Sequence, residues 1–180
     1  MSNLHSMTDE LPAAAARAFD RHDAYKRAAA GPAFALTTTR FDATVTARDA
    51  DTEWALAYEL EVRAPMLSTA TADEVGPAVE EGWYDTLALR LEDAPSAVRD
   101  SVDATVDVSR EAGDAVATYR FEWGDPDRAA DIAKAFAEYV EGTYLQGVVP
   151  GYDYEAPVSE MLASACGAGG DEESGDPMPL

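Results

Sequence analysis

Trp54-Ala55-Leu56-Ala57-Tyr58-Glu59-Leu60-Glu61-Val62 puts a large apolar side chain at every second position, the period of a strand with one face on a core and the other in water. Trp54, Leu56, Tyr58, Leu60 and Val62 form the inward row, with Ala55, Ala57, Glu59 and Glu61 opposite. Upstream, across the turn-forming Asp49-Ala50-Asp51-Thr52, the residues Phe41, Ala43, Val45 and Ala47 alternate in the same way. The pair reads as a hairpin. Phe34, Leu36 and Thr38 alternate one residue out of phase with that set, which implies a bulge or tight turn around Thr39-Arg40.

The pattern then returns. Phe41-Asp42-Ala43-Thr44-Val45 reappears as Val102-Asp103-Ala104-Thr105-Val106, an offset of 61. The same offset carries Tyr58 onto Tyr119, Leu60 onto Phe121, Glu61 onto Glu122 and Pro65 onto Pro126 without a gap. The inward row of the first half matches Ala115, Ala117, Tyr119, Phe121 and Trp123, so parity holds through two strands and their turn. Val75 and Val79 fall on Phe136 and Val140.

Helical periodicity fills the rest. Leu11, Ala15, Ala18, His22, Tyr25 and Ala29 predict a helix from about Asp9 to Ala30, stopped by Gly31-Pro32. Thr71-Ala72-Asp73-Glu74 has the form of a capping box before a helix with Val75, Val79, Trp83, Leu87 and Leu91 on one side, ending near Ala94-Pro95. Asp125 precedes Pro126 as cap and first residue of a third helix, with the stripe Ile132, Phe136, Val140 and Thr143 or Tyr144. A short helix is expected from about Pro157 to Ala165. The expected fold is α+β: an antiparallel sheet of four or five strands from two ββα repeats (about 41–91 and 102–146), helices on one face, and a preceding N-terminal helix. One domain spans 8–165, between a disordered 1–7 and a disordered acidic tail over 166–180.

Composition points to a solvent rather than a reaction. The 180 residues carry 35 acids against 13 Lys and Arg, a net charge of −22, and alanine makes up about a fifth of the chain. Lys26 and Lys134 are the only lysines beside eleven arginines. Such a surface suits concentrated salt, where carboxylates hold water and counterions and the Debye length falls to about 3 Å at 1 M. We therefore expect a halophile. The absence of any basic run argues against nucleic acid and anionic membranes. No apolar window of membrane-spanning length occurs, and residues 1–7 lack the features of a signal peptide, so a cytoplasmic location is expected.

Catalytic handles are few. His5 and His22 are the only histidines, and His22 on an apolar stripe reads as a core or interface residue. Cys166 stands alone, which excludes an intramolecular disulfide and a cysteine-rich metal site. No phosphate loop, dinucleotide fingerprint, nucleophile elbow or zinc-protease motif is present. Glu80-Glu81, Asp51-Glu53 and Asp171-Glu172-Glu173 are the densest acids, and in so acidic a chain they read as solvated faces. No catalytic residue, metal or cofactor is assigned. The candidate binding residues are instead Trp83, Tyr84, Tyr144, Tyr152 and Tyr154, aromatics expected to gather near one end of the molecule.

In the hairpin Phe41 to Val62, in Glu80-Glu81-Gly82-Trp83-Tyr84-Asp85 and in Val148-Val149-Pro150-Gly151-Tyr152, the chain resembles a haloarchaeal family of small acidic proteins with no assigned function. More distantly, the order helix, three strands, helix, two strands, helix is similar to secretion-chaperone and YbjN-type domains, a likeness that implies polypeptide binding, often as dimers. Two functional readings follow. The first is a non-enzymatic protein-binding or regulatory domain with a protein partner or a second copy; the alternative is a small-ligand protein or cryptic enzyme using the seam between the repeats, lined by Tyr58 and Tyr119.

Overall fold

The computed structural model describes residues 10–98 and 101–170. Strands β1 (Tyr25–Arg27), β2 (Phe34–Leu36), β3 (Asp42–Asp49), β4 (Leu56–Pro65), β5 (Ala104–Glu111) and β6 (Asp114–Trp123) form one antiparallel sheet in the order β1-β2-β3-β4-β6-β5. Its helices are α1 (Ala13–Asp20), α2 (Leu67–Ala70), α3 (Pro77–Leu91), α4 (Ala94–Ala97), α5 (Pro126–Gln146) and α6 (Val158–Gly170). The fold is α+β with an antiparallel sheet, as the alternation predicts, but the sheet has six strands rather than four or five.

The extra strand comes out of the expected first helix. The predicted helix over 9–30 is confined to Ala13–Asp20, and Tyr25–Arg27 instead pairs with Phe34–Leu36. The chain leaves the helix where the Ala24 N–H donates to His22 Nδ1, a local bond that competes with helical pairing. The Tyr25 hydroxyl then donates to the Ala130 carbonyl on α5 at 2.6 Å, fixing the new strand against the core. The element order consequently has four strands, not three, after the first helix, one more than the chaperone-like order requires.

The phase slip near Thr39-Arg40 is the reversal between β2 and β3. Phe34 pairs with Val45, and one Glu141 carboxylate oxygen accepts the backbone N–H groups of both Arg40 and Phe41. The turn is thereby tied to α5.

Between β5 and β6 only Ala112 and Gly113 intervene, both at positive φ (50° and 85°), the two-residue turn whose twist matches a hairpin. The Gly113 carbonyl accepts from Met66 N–H and the Thr69 hydroxyl, and a Cβ on Gly113 would sit 3.0 Å from Thr69 Oγ1. We expect Gly113→Ala to cost more than about 1 kcal/mol, through strain and crowding together. Gly142, inside α5 with open space at its Cβ position, is the control: Gly142→Ala should stabilise by up to about 1 kcal/mol. Thermal melts in molar KCl read both signs.

The β3–β4 loop is longer, and here Trp54 departs from expectation. It lies before the strand in the loop, 70% exposed, with Gly124 against its backbone and ring. The capping box fails for a similar local reason. Thr71 Oγ1 accepts from Asp73 N–H and donates to the Asp153 carbonyl, so Thr71 belongs to a bridge with Tyr154. The helix begins later with Pro77 at its first position. Asp125 does cap α5 as its spacing predicts, accepting from Asp127 N–H at 3.0 Å. Helix α6 runs to Gly170, past Ala165.

One face of the sheet is covered. Tyr58, Leu60, Val62, Ala64, Ala115, Ala117, Tyr119 and Phe121 are all buried against helical residues that include Phe19, Leu91, Ile132, Phe136 and Val140. The other face carries charges in the alternate register. Arg120 bridges Glu59 (2.9 Å) and Asp107 (2.7 Å), and Arg63 reaches Glu61, Glu111 and Asp114.

Candidate functional site

Trp83 and Tyr144 meet because α3 crosses α5: the two rings stand edge-on at 5.5 Å, and Tyr144 in turn packs edge-on against Phe41 at 4.9 Å. Tyr144 is fully buried, its hydroxyl donating to the Pro65 carbonyl at 2.9 Å, and burial raises its phenol above the ordinary tyrosine value. Trp83 is buried too. The other three aromatics make no ring contact with this pair, although Tyr154 is near enough to Tyr144 to add to the rise of its phenol. Tyr84 carries the Arg110 guanidinium 4.0 Å above its ring, toward β5. Tyr152 and Tyr154 pack edge-on at 6.4 Å in the loop after α5, and the Tyr154 hydroxyl donates to the Val149 carbonyl at 2.6 Å.

Above Trp83 the surface dips into a groove of about 310 Å³ between α3 and the end of α5. Ala78, Val79, Gly82, Thr86, Leu87 and Arg90 supply one wall, Thr143, Gly147 and Val149 the other, and Trp83 the floor. No carboxylate is among these lining residues, in a chain with 35 acids. Val79 is 43% exposed, and Leu89, on the same helix, is 67% exposed. The aromatics thus shape the groove more than they line it: Trp83, with Tyr144 packed edge-on against it, forms its base, and Tyr154 holds Val149 in its wall. Val79, Thr86, Arg90, Thr143 and Val149 were not candidates from sequence. Val79 was visible there as a stripe residue, and its exposure is the signal that the stripe outruns the core.

A broader cleft of about 900 Å³ crosses the Trp54 end of the sheet. Its charged lining is Glu10, Glu59, Asp103 and Glu122 with Arg48 and Arg120, and Arg120 is already engaged by Glu59 and Asp107.

Tyr58 and Tyr119 belong to a continuous ring cluster. Phe19 lies 6.1 Å from Tyr58, Tyr58 5.4 Å from Phe121, Phe121 5.7 Å from Phe136, and Phe136 stacks on Tyr119 at 4.9 Å. Burial raises both phenols, with Asp125 and Asp127 adding to Tyr58. Their hydroxyls differ. Tyr119 donates to the Leu91 carbonyl at 3.2 Å, whereas the Tyr58 hydroxyl is buried with no hydrogen-bond partner among the described residues. Tyr119→Phe should therefore cost about 1–2 kcal/mol, and Tyr58→Phe should be neutral or stabilising by about 1 kcal/mol, since it removes an unpaired buried group. Urea unfolding of the two variants in molar KCl checks this contrast; a costly Tyr58→Phe would mean that its hydroxyl has a partner.

The remaining chemistry-bearing residues are occupied or dispersed. His22 Nε2 lies 2.8 Å from Asp131 Oδ1, and its ring stands edge-on to Tyr25. Glu80 accepts the Ser68 N–H at 2.6 Å. Cys166 is exposed on α6, and Asp171-Glu172-Glu173 lies outside the described residues. Among the described residues no three His, Cys, Asp or Glu side chains gather into a potential metal site, and no helix is long and apolar enough to cross a membrane.

Compared with known proteins, residues 20–164 match a family of unknown function, DUF5813. No curated protein and no solved structure matches.

Proposed function

The chain belongs to the DUF5813 family of unknown function, and we propose that it is a non-enzymatic binding domain that docks a polypeptide in the groove between α3 and α5. One observation carries this reading: an apolar groove free of carboxylates, with the half-exposed Val79 in its wall, on a surface otherwise rich in acids. Large exposed apolar side chains beside a concave site are the usual mark of a surface that another chain covers. The open sheet face supports this reading less well, because Arg63 and Arg120 are engaged by its own carboxylates and Arg48 borders a cleft lined by four acids. The seam alternative has less support still, since Tyr119 is packed into the ring cluster and Tyr58, although it borders the broad cleft, is itself buried.

The net charge of −22 supports a halophilic setting, and a cytoplasmic location and a haloarchaeal lineage are part of the same proposal. The repeat enters the proposal through one pair. Glu59 and Arg120, 61 positions apart, face each other across β4 and β6, where an internal twofold would put equivalent residues. The β5–β6 hairpin is shifted by two residues relative to β3–β4, which preserves the inward parity.

Val79→Asp tests the docking reading without touching the core, because Val79 is already 43% exposed. In capture experiments kept in molar KCl, the tagged variant should melt like the wild type and lose any polypeptide that the wild type retains, by tenfold or more. A variant that retains the same partner at the same level would remove the groove from the account.

A further inference from the structure

Resting on the groove reading, we infer that the docked segment carries a carboxylate beside its apolar anchor and that Arg90 receives it. Arg21, Arg27, Arg40, Arg63, Arg120 and Lys134 are all engaged in ion pairs with acids of this chain. Arg90 is exposed and its guanidinium has no ion pair or hydrogen bond among the described residues, although its backbone is anchored by the Tyr139 hydroxyl on its carbonyl at 3.1 Å. It borders the groove on one side and a second hollow of about 240 Å³, lined by Tyr139, Gly142, Thr143 and Gln146, on the other. Neither hollow has a carboxylate in its lining. Among the described residues Arg17, Lys26, Arg48 and Arg110 also lack an ion pair, but Arg48 borders the cleft that four acids line, Arg110 lies over the Tyr84 ring, and Arg17 and Lys26 line neither hollow.

An unengaged guanidinium between two uncharged hollows is a receptor for an anion that arrives with apolar neighbours. Both hollows are open and small, which suits two side chains of one peptide segment better than a single long tail needing enclosure. The partner class is therefore an amphipathic segment with apolar residues one helical turn apart and an acid next to them. This runs against the global field. A net charge of −22 favours a cationic partner at long range, whereas Arg90 favours an acidic one at contact.

The probe is a capped, labelled helical peptide of roughly twelve residues with leucines at i and i+4 and a neighbouring Glu, Gln or Lys. Anisotropy is read in molar KCl, where a Debye length of about 3 Å screens the global field and leaves contact pairs. Wild type should bind the Glu version about fivefold more tightly than the Lys version, Arg90→Gln should bring that ratio to about one, and Arg90→Glu should reverse it. Equal or tighter binding of the Lys version by wild type, with Val79→Asp abolishing binding of all three, overturns the assignment to Arg90 and leaves the groove standing. If Val79→Asp binds all three as wild type does, or none binds at millimolar concentration, the groove reading fails and this inference with it.

Discussion

Raising the pH past about 10 is expected to unfold the protein cooperatively, with the tyrosinate signal of its buried phenols appearing together with the loss of secondary structure. Burial raises the phenols of Tyr25, Tyr58, Tyr119 and Tyr144, with Asp131 adding to Tyr25 and Asp125 to Tyr58. Such a group leaves stability untouched below its unfolded value near 10. Above it only the unfolded chain can release the proton, so stability falls as pH climbs toward the raised folded value. Each phenol then contributes about 1.4 kcal/mol per pH unit, and four together roughly 5 kcal/mol per unit, against a total stability of about 5–15 kcal/mol. Lys26 and Lys134 are the only lysines losing charge in the same range, so cation loss is a minor competitor. Absorbance near 295 nm and far-ultraviolet circular dichroism, followed together in molar KCl, should show one transition by about pH 11.5. Full ionisation of all eight tyrosines with native dichroism retained would mean that these phenols are open to solvent.

Phe136→Ala should be among the costliest single truncations, about 4 kcal/mol. Phe136 is fully buried, lies parallel to Tyr119 within 9° at 4.9 Å, and meets Phe121 edge-on at 5.7 Å. It is where α5 presses on β6, so its removal opens a cavity between layers that cannot close without moving the helix. Denaturant unfolding at fixed KCl measures the loss. A cost below about 1.5 kcal/mol would mean that the site collapses easily and that the ring cluster is not the centre of the core.

The strands at the centre of the sheet were legible because their rule is local. Tyr58, Leu60 and Val62 alternate with Glu59 and Glu61 wherever the chain pairs, and the two-residue period survives any loop change. Trp54 shares that period but not the strand, since composition cannot say how many residues a turn consumes. The first helix is shorter than its spacing predicts for a related reason: in a chain that is about one-fifth alanine, helical spacing arises without a helix, and β1 exists only because Phe34–Leu36 is there to pair with it. Thr71 had the residues of a cap, but Asp153, eighty-two positions away, took its hydroxyl.

The groove was out of reach for the strongest reason. Its walls come from α3, from the end of α5 and from Val149, and only the fold brings them together. The sequence supplied the aromatics at its base and missed the smaller residues and the lone arginine at its surface.

This groove, and not the charged sheet face, is the proposed docking site for another chain. Amide spectra of the 15N-labelled protein, titrated with the Glu version of the leucine peptide in molar KCl, test it most directly. Shifts concentrated at Gly82, Thr86, Thr143, Gly147 and Val149, all lining the groove, are the expected result. Shifts confined to Thr46, Thr105, Glu59 and Arg120 on the opposite side of the sheet would contradict it.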